Sequence, residues 1–286
     1  MASILLGLYE KSMPNELTLT EKLVAARTAG FDYLELSIDE SDEKLARLDW
    51  NHEDRWQLTN AINDTGIPIN SICLSGHRRF PLGHPDPAVQ QKGLSIMQKA
   101  IVLAANIGVR IIQIAGYDVY YEASNEQTKA SFANNLRLCV QMAACYGVIL
   151  AFETMETSFM NTVGKAMDWV QQMQSPYLQL YPDIGNLTNA AQSYGTSVLD
   201  DLKRGRCHFT AVHLKETKPD VFREVPYGAG HVNFASAISV FLQFGVRMFV
   251  GEFWHLGEED WPDVLTHNHT FLRSAIEEGK RRMGKM

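Results

Sequence analysis

The chain has 286 residues, 45% of them hydrophobic and 10% aromatic, with a formal net charge of -7. Its longest apolar runs are of strand length, well short of the roughly 20 residues of a membrane span, and the acidic balance argues against nucleic acid as the partner. Four scattered cysteines, Cys73, Cys139, Cys145 and Cys207, form no CxxC pair; they imply neither a disulfide framework nor a zinc knuckle, and reduced core thiols in a cytoplasmic protein are expected. The opening MASILLGLYEKSM lacks a positive n-region and reads as a first strand rather than a signal peptide.

Periodicity predicts eight alternations of strand and helix along the chain. A strand over 4–10 precedes an amphipathic helix over 18–30, a strand over 33–39 a helix near 53–65, and a strand over 69–75 a long helix near 86–107. Strands over 111–117 and 148–154 lead to helices near 125–146 and 162–173. Strands over 178–184, 209–216 and 248–254 lead to helices near 195–204, 234–244 and 262–283. Gly30, Gly66, Gly108, Gly147 and Gly245 each stand just before the next strand, where a helix ends in the left-handed conformation that only glycine takes without penalty. Eight apolar strands, each followed by a helix, predict a single-domain (β/α)8 TIM barrel over residues 1–286. A doubly wound open sheet is the alternative, but GLYEKSM is not the glycine-rich phosphate loop that such a sheet carries after its first strand.

Four residues close strand-like runs: Glu153 in VILAFE, Asp183 in LQLYPD, His213 in FTAVHL and Glu252 in MFVGEF, spaced 30, 30 and 39 residues apart. A barrel converges such strand ends on one mouth, and four polar groups there call for a cation. Three carboxylates and an imidazole suit one divalent metal ion, Mn²⁺, Mg²⁺, Co²⁺ or Zn²⁺. If an α-hydroxy ketone chelated the metal, the cation would stabilise the enediolate formed on losing the C–H proton. Glu153 and Glu252, on non-adjacent strands, are the candidate acid and base on opposite faces, so the outcome would be epimerisation beside the ketone.

The segments SICLSGHRRFPLG, IIQIAGYDVYY, QLYPDIGN and AVHLKETKPDVFREVPYGAG resemble the L-ribulose-5-phosphate 3-epimerases, also called L-xylulose-5-phosphate 3-epimerases, of the xylose-isomerase-like barrel superfamily. The likeness covers essentially the whole chain. It implies a xylose-isomerase-like barrel, a single divalent metal, a small sugar-phosphate ketose as substrate, and a place in pentose phosphate and ascorbate utilisation. The family's Glu, Asp, His and Glu ligands match Glu153, Asp183, His213 and Glu252, with the two glutamates as the acid/base pair acting through a cis-enediolate. Relatives often carry a substrate-contacting His three residues after the Asp, where this chain has Asn186. An amide can bond a sugar hydroxyl but carries no positive charge.

Two basic segments compete for the substrate's phosphate: His77, Arg78 and Arg79 after the third strand, and Lys215 and Lys218 after the seventh. The second adjoins YGAGHVNF, whose Gly228 and Gly230 would let backbone N–H groups approach an anion, so Lys215 and Lys218 are preferred and Arg78 comes second. Glu156 is a candidate for a distal hydroxyl, and Tyr117, Tyr120, Tyr121 and Trp254 are candidate pocket walls. The outer helical faces are expected to form a homodimer. An aldose–ketose isomerase of the hexulose-phosphate type is the rival on the same scaffold. A nuclease acting on abasic DNA would need histidines that the ends of strands one to four, His77 apart, do not offer.

Overall fold

The structure is a computed structural model and describes residues 3–284. Its strands are β1 (Leu5–Tyr9), β2 (Tyr33–Ile38), β3 (Ile69–Leu74), β4 (Ile111–Ala115), β5 (Ile149–Glu153), β6 (Leu178–Leu180), β7 (Val212–Leu214) and β8 (Met248–Gly251). All pair in parallel, in the order β6-β5-β4-β3-β2-β1-β8-β7. The sheet closes between β6 and β7: parallel bridges join Leu180 to Phe209 and Asp183 to His213, and the N–H of His213 donates to the Pro182 carbonyl at 2.9 Å. This is the (β/α)8 barrel that the strand–helix alternation predicts.

The helices are α1 (Leu19–Thr28), α2 (Asp42–Ala46), α3 (His52–Thr65), α4 (Pro87–Asn106), α5 (Glu126–Tyr146), α6 (Val163–Met173), α7 (Ile184–Tyr194), α8 (Val198–Arg204), α9 (Phe234–Gln243) and α10 (Trp261–Met283). All five glycines expected to end helices take positive φ, from 64° to 94°. Two helices were not expected. The short α2 starts where the Ser41 side chain accepts from Lys44 N–H. The three-turn α7 is capped by Asp183 and closed by Gly195 at φ 63°; the expected helix near 195–204 is the separate, shorter α8.

The main apolar core lies between strands and helices and contains Leu6, Leu34, Ile72, Ile112, Leu150, Phe152, Leu214 and Phe249, each fully buried. The barrel interior differs from the uniformly apolar strands expected. Tyr33, Glu35, Ser71, Gln113, Tyr181 and His213 are buried there beside Cys73, Ala151, Ala211 and Val250. Buried polar groups must find partners, and these largely find one another. Of the cysteines, all free, Cys73 and Cys139 are core residues, but Cys145 and Cys207 are exposed, the latter in a turn at φ 73°. Among the described residues no helix is long and apolar enough to cross a membrane.

Candidate active site

Glu153 is the last residue of β5, in register with Ala115. Asp183 leaves β6 and caps α7, its Oδ1 accepting the Asn186 N–H at 2.7 Å. Gly185 permits that placement: a Cβ there would come within 2.8 Å of the Lys215 carbonyl oxygen. His213 lies within β7, in register with Val250, and Glu252 follows β8. One ligand atom from each of Glu153, Asp183, His213 and Glu252 can be chosen so that all four lie within 4.8 Å of one another, every residue buried. Four strand ends thus deliver the quartet to one point.

His213 Nδ1 is 3.0 Å from Glu252 Oε2 and 3.6 Å from Glu153 Oε1, while its Nε2 is 2.5 Å from Glu35 Oε1. Burial alone would depress this imidazole, but Glu35 and Glu252 raise it well above the usual histidine range. The Lys215 ammonium enters the same cluster, 3.0 Å from Asp183 Oδ2 and 3.7 Å from Glu252 Oε2. Burial would lower Lys215 too, yet Asp183 and Glu252 overcome it and keep the group charged. Asp183 is pushed well above the carboxylate range by burial and by Glu252 and Glu153, with Lys215 opposing. Burial acts the same way on Glu252, but Lys215 and His213 hold it well below that range.

The donor set fits a divalent cation on grounds independent of any spacing rule. Asp183 Oδ2 and Glu252 Oε2 are buried and accept no hydrogen bond of good geometry: the Lys215 ammonium is 3.0 and 3.7 Å from them, and His213 Nδ1 is 3.0 Å from the Glu252 oxygen. Buried carboxylate oxygens left in that state are costly, and an ion between them removes the cost. Hard oxygen donors with one imidazole are ligands for Mn²⁺, Mg²⁺, Co²⁺ or Zn²⁺.

The other expected residues fall into two groups. Asn186 is brought to the cluster: its Nδ2 donates to the Thr154 carbonyl at 2.8 Å and its buried Oδ1 has no partner. Glu156 lies farther out, where its Oε1 accepts from Tyr120 Oη and from Arg223 Nη2, each at 3.0 Å. Arg78 stacks on Tyr120, 4.7 Å from the ring centre, pairs with Glu40 at 3.5 Å, and keeps a buried Nε without a partner. Tyr117 is buried with an unpartnered hydroxyl, whereas Tyr121 is two-thirds exposed.

His77 and Lys218 are not brought in. The His77 ring is buried in the wall with its Nε2 3.0 Å from the Gly93 carbonyl of α4, because the helical turn after β3 directs it away from the barrel axis. Lys218 is exposed, its backbone bridged to Val221. The YGAG segment also differs from expectation. Gly228 N–H and Val232 N–H donate to the Glu216 carboxylate at 3.0 and 3.1 Å, so an internal anion already holds the loop. A cavity of about 410 Å³ beside β7 and β8 reaches Lys215, Glu252 and Trp254 of the site, and its outer wall carries Glu216, Glu224, Glu258, Asp260 and Asp263, an excess of negative charge that disfavours a phosphate.

Glu35 and Arg223 were not singled out from sequence. A lone carboxylate inside the apolar run YLELSI was a readable signal for Glu35, since an ionisable group in a buried strand needs a partner. Arg223 sits in the long loop before α9, and no pattern marks it.

A family model for the xylose isomerase-like TIM barrel matches residues 23–275. The L-ribulose-5-phosphate 3-epimerase UlaE of Escherichia coli O157:H7 is 45% identical over 256 residues, 89% of this chain and 89% of that one. The protein of the same name from Shigella boydii serotype 18 matches to the same extent. Among solved structures, an L-ribulose 3-epimerase superposes with a TM-score of 0.77 at 17% identity, covering 98% of this chain and 97% of that one. A D-tagatose 3-epimerase-like protein does so with a TM-score of 0.80 at 14% identity, covering 98% and 99%. At those identities the structural likeness is one of fold, while the sequence match extends along nearly the whole length. The chain belongs to the L-ribulose-5-phosphate 3-epimerase family of xylose isomerase-like TIM barrels.

Proposed function

We propose that the protein is a metal-dependent sugar-phosphate 3-epimerase that interconverts L-ribulose 5-phosphate and L-xylulose 5-phosphate. The observation that carries this reading is the buried quartet, with Glu153 and Glu252 supplied by two strands that are not neighbours. Glu153, Asp183, His213 and Glu252 would hold the ion. The ion supplies charge neutralisation for the substrate oxygen that becomes negative as the C3 proton leaves.

The remaining steps belong to the chain. One of Glu153 and Glu252 removes the C3 proton and the other returns a proton from the opposite face, which inverts that carbon and leaves C1 and C2 unchanged in connectivity. Lys215 holds Glu252 ionised and places a second positive charge beside the developing oxyanion. Asn186 offers its unpartnered Oδ1 to a substrate hydroxyl. Arg78 is the preferred phosphate contact, in place of Lys215 and Lys218: Lys215 is committed to the carboxylates, Lys218 is exposed to solvent, and the outer wall on the β7–β8 side is acidic. Glu156 accepts from Tyr120, whose ring carries Arg78, so the three form one cluster that would meet the phosphate end of the substrate.

The test is a chelated sample assayed on a panel of ketopentose 5-phosphates, then reassayed after each of Mn²⁺, Zn²⁺, Mg²⁺ and Co²⁺ is restored. Loss of L-ribulose 5-phosphate turnover on chelation and its return with at least one ion is the expected result. Full turnover in the metal-stripped sample would remove metal dependence from the reading.

A further inference from the structure

Glu35 lies halfway along β2, inside the barrel and fully buried, 178 residues from His213 in sequence and 2.5 Å from it in space. Its two oxygens have separate tasks. Oε1 faces His213 Nε2, and Oε2 accepts from Ser71 Oγ of β3 at 2.7 Å and from Tyr181 Oη, just after β6, at 2.8 Å. Three strands therefore fix one carboxylate beneath one imidazole. The Tyr181 ring meets the imidazole edge-on at 5.0 Å between centres, which limits rotation of His213.

A carboxylate that accepts from Ser71 and Tyr181 on one oxygen can act only as an acceptor toward His213 on the other, so Nε2 carries a proton. Nδ1 is then the nitrogen aimed at Glu252 and Glu153, with Gln113 Nε2 the next neighbour at 3.4 Å. We infer that Glu35 is a positioning residue of the metal centre: through its bond to His213 it selects the tautomer that presents the Nδ1 lone pair to the cation and strengthens that nitrogen as a donor. The inference rests on the metal-site reading given above. Outer carboxylates of this kind change metal affinity by about 10–100-fold when removed, because the ligand loses both orientation and basicity.

Glu35→Gln keeps the size of the side chain and an acceptor for Nε2–H while removing the charge. Zn²⁺ binding, measured by chelator competition on the purified protein, is expected to weaken by about 10–100-fold, with the metal-free melting curve close to that of the wild type. In a His213→Gln background the same substitution should produce no further loss of Zn²⁺ affinity, because Glu35 acts through the imidazole. An unchanged affinity in the single variant, or an equal loss in both backgrounds, would overturn the inference. Should Glu35→Gln not fold, the wild type gives the answer by ¹⁵N NMR of histidine-labelled, Zn²⁺-loaded protein: a proton on His213 Nε2 supports the role, and a proton on Nδ1 contradicts it. Failure of the wild type itself to bind any divalent ion is a separate outcome that removes the metal site and Glu35's role with it.

Discussion

Lys215 Nζ lies 3.0 Å from Asp183 Oδ2, so a buried ammonium stands inside the cluster of carboxylates that would hold the cation. In the proposed function this places it at the reacting end of the substrate rather than at its phosphate. Replacing it with methionine keeps the stem and deletes the charge. Lys215→Met is expected to lower kcat by roughly 10²–10³-fold, the usual effect of removing one group that stabilises an oxyanion, with KM for the sugar phosphate little changed. Steady-state kinetics separate the two parameters; a rise in KM at constant kcat would return Lys215 to phosphate binding.

Arg78 carries the complementary expectation. Its guanidinium stacks on Tyr120 and pairs with Glu40 at 3.5 Å, and its unpartnered Nε is the donor left for an anion. Arg78→Met should remove about 1.5–3 kcal/mol of binding to the phosphorylated ketose, seen as a higher KM. The rate with the unphosphorylated ketopentose should stay the same; equal losses on both substrates would mean that the substitution damages the site generally.

Glu10, immediately after β1, is the centre of a buried charge cluster. Its carboxylate meets Lys44 Nζ at 2.5 Å, Lys22 Nζ at 3.1 Å, and Arg47 Nη1 and Nη2 at 2.6 and 2.8 Å. Burial would raise its pKa, but the Arg47 hydrogen bond and the charges of Arg47, Lys22 and Lys44 hold it well below the carboxylate range. Glu10→Gln leaves three cations without a counter-charge and should cost roughly 3–5 kcal/mol, read from the shift in the urea midpoint. A shift under half a unit of that scale would show that the cations relax into water.

His77 predicts a pH dependence of stability. Burial lowers its pKa from 6.5 to about 4, with only the Gly93 carbonyl contact opposing. Between those two values the unfolded chain binds a proton that the folded chain does not. Stability from this residue is therefore fully present above about pH 6.5 and falls as pH drops toward 4, by about 3 kcal/mol in total. His77→Gln, whose amide can donate to Gly93, should flatten that part of the unfolding profile while leaving the neutral-pH value nearly unchanged. An identical acid limb in the variant would assign the loss to other groups.

What sequence could reveal divides along physical lines. Eight strands and the glycines that end five helices were legible because period and backbone conformation are local properties. The quartet was legible because each member stands at or within three residues of the C-terminal end of a strand, and the barrel does the converging. Helix α7 was missed because IGNLTNAAQSY is rich in polar residues, and because Asp183 has two tasks: one oxygen caps the helix while the other turns to the carboxylate cluster. The fate of the basic residues was not local. Whether Lys215 met phosphate or carboxylate depended on how Gly185 lets α7 close on β7, and whether YGAG was free for an anion depended on the position of Glu216. Glu35 shows the same limit, since its partners come from β3, β6 and β7.

The most direct measurement is hydrogen exchange during turnover in deuterated water, with L-ribulose 5-phosphate as substrate and the products read by NMR. Two glutamates acting across C3 predict deuterium at C3 of the L-xylulose 5-phosphate formed, none at C1, and loss of turnover in both Glu153→Gln and Glu252→Gln with the fold retained. Label confined to C1 or C2 would contradict a 3-epimerase and identify an aldose–ketose isomerase on the same barrel.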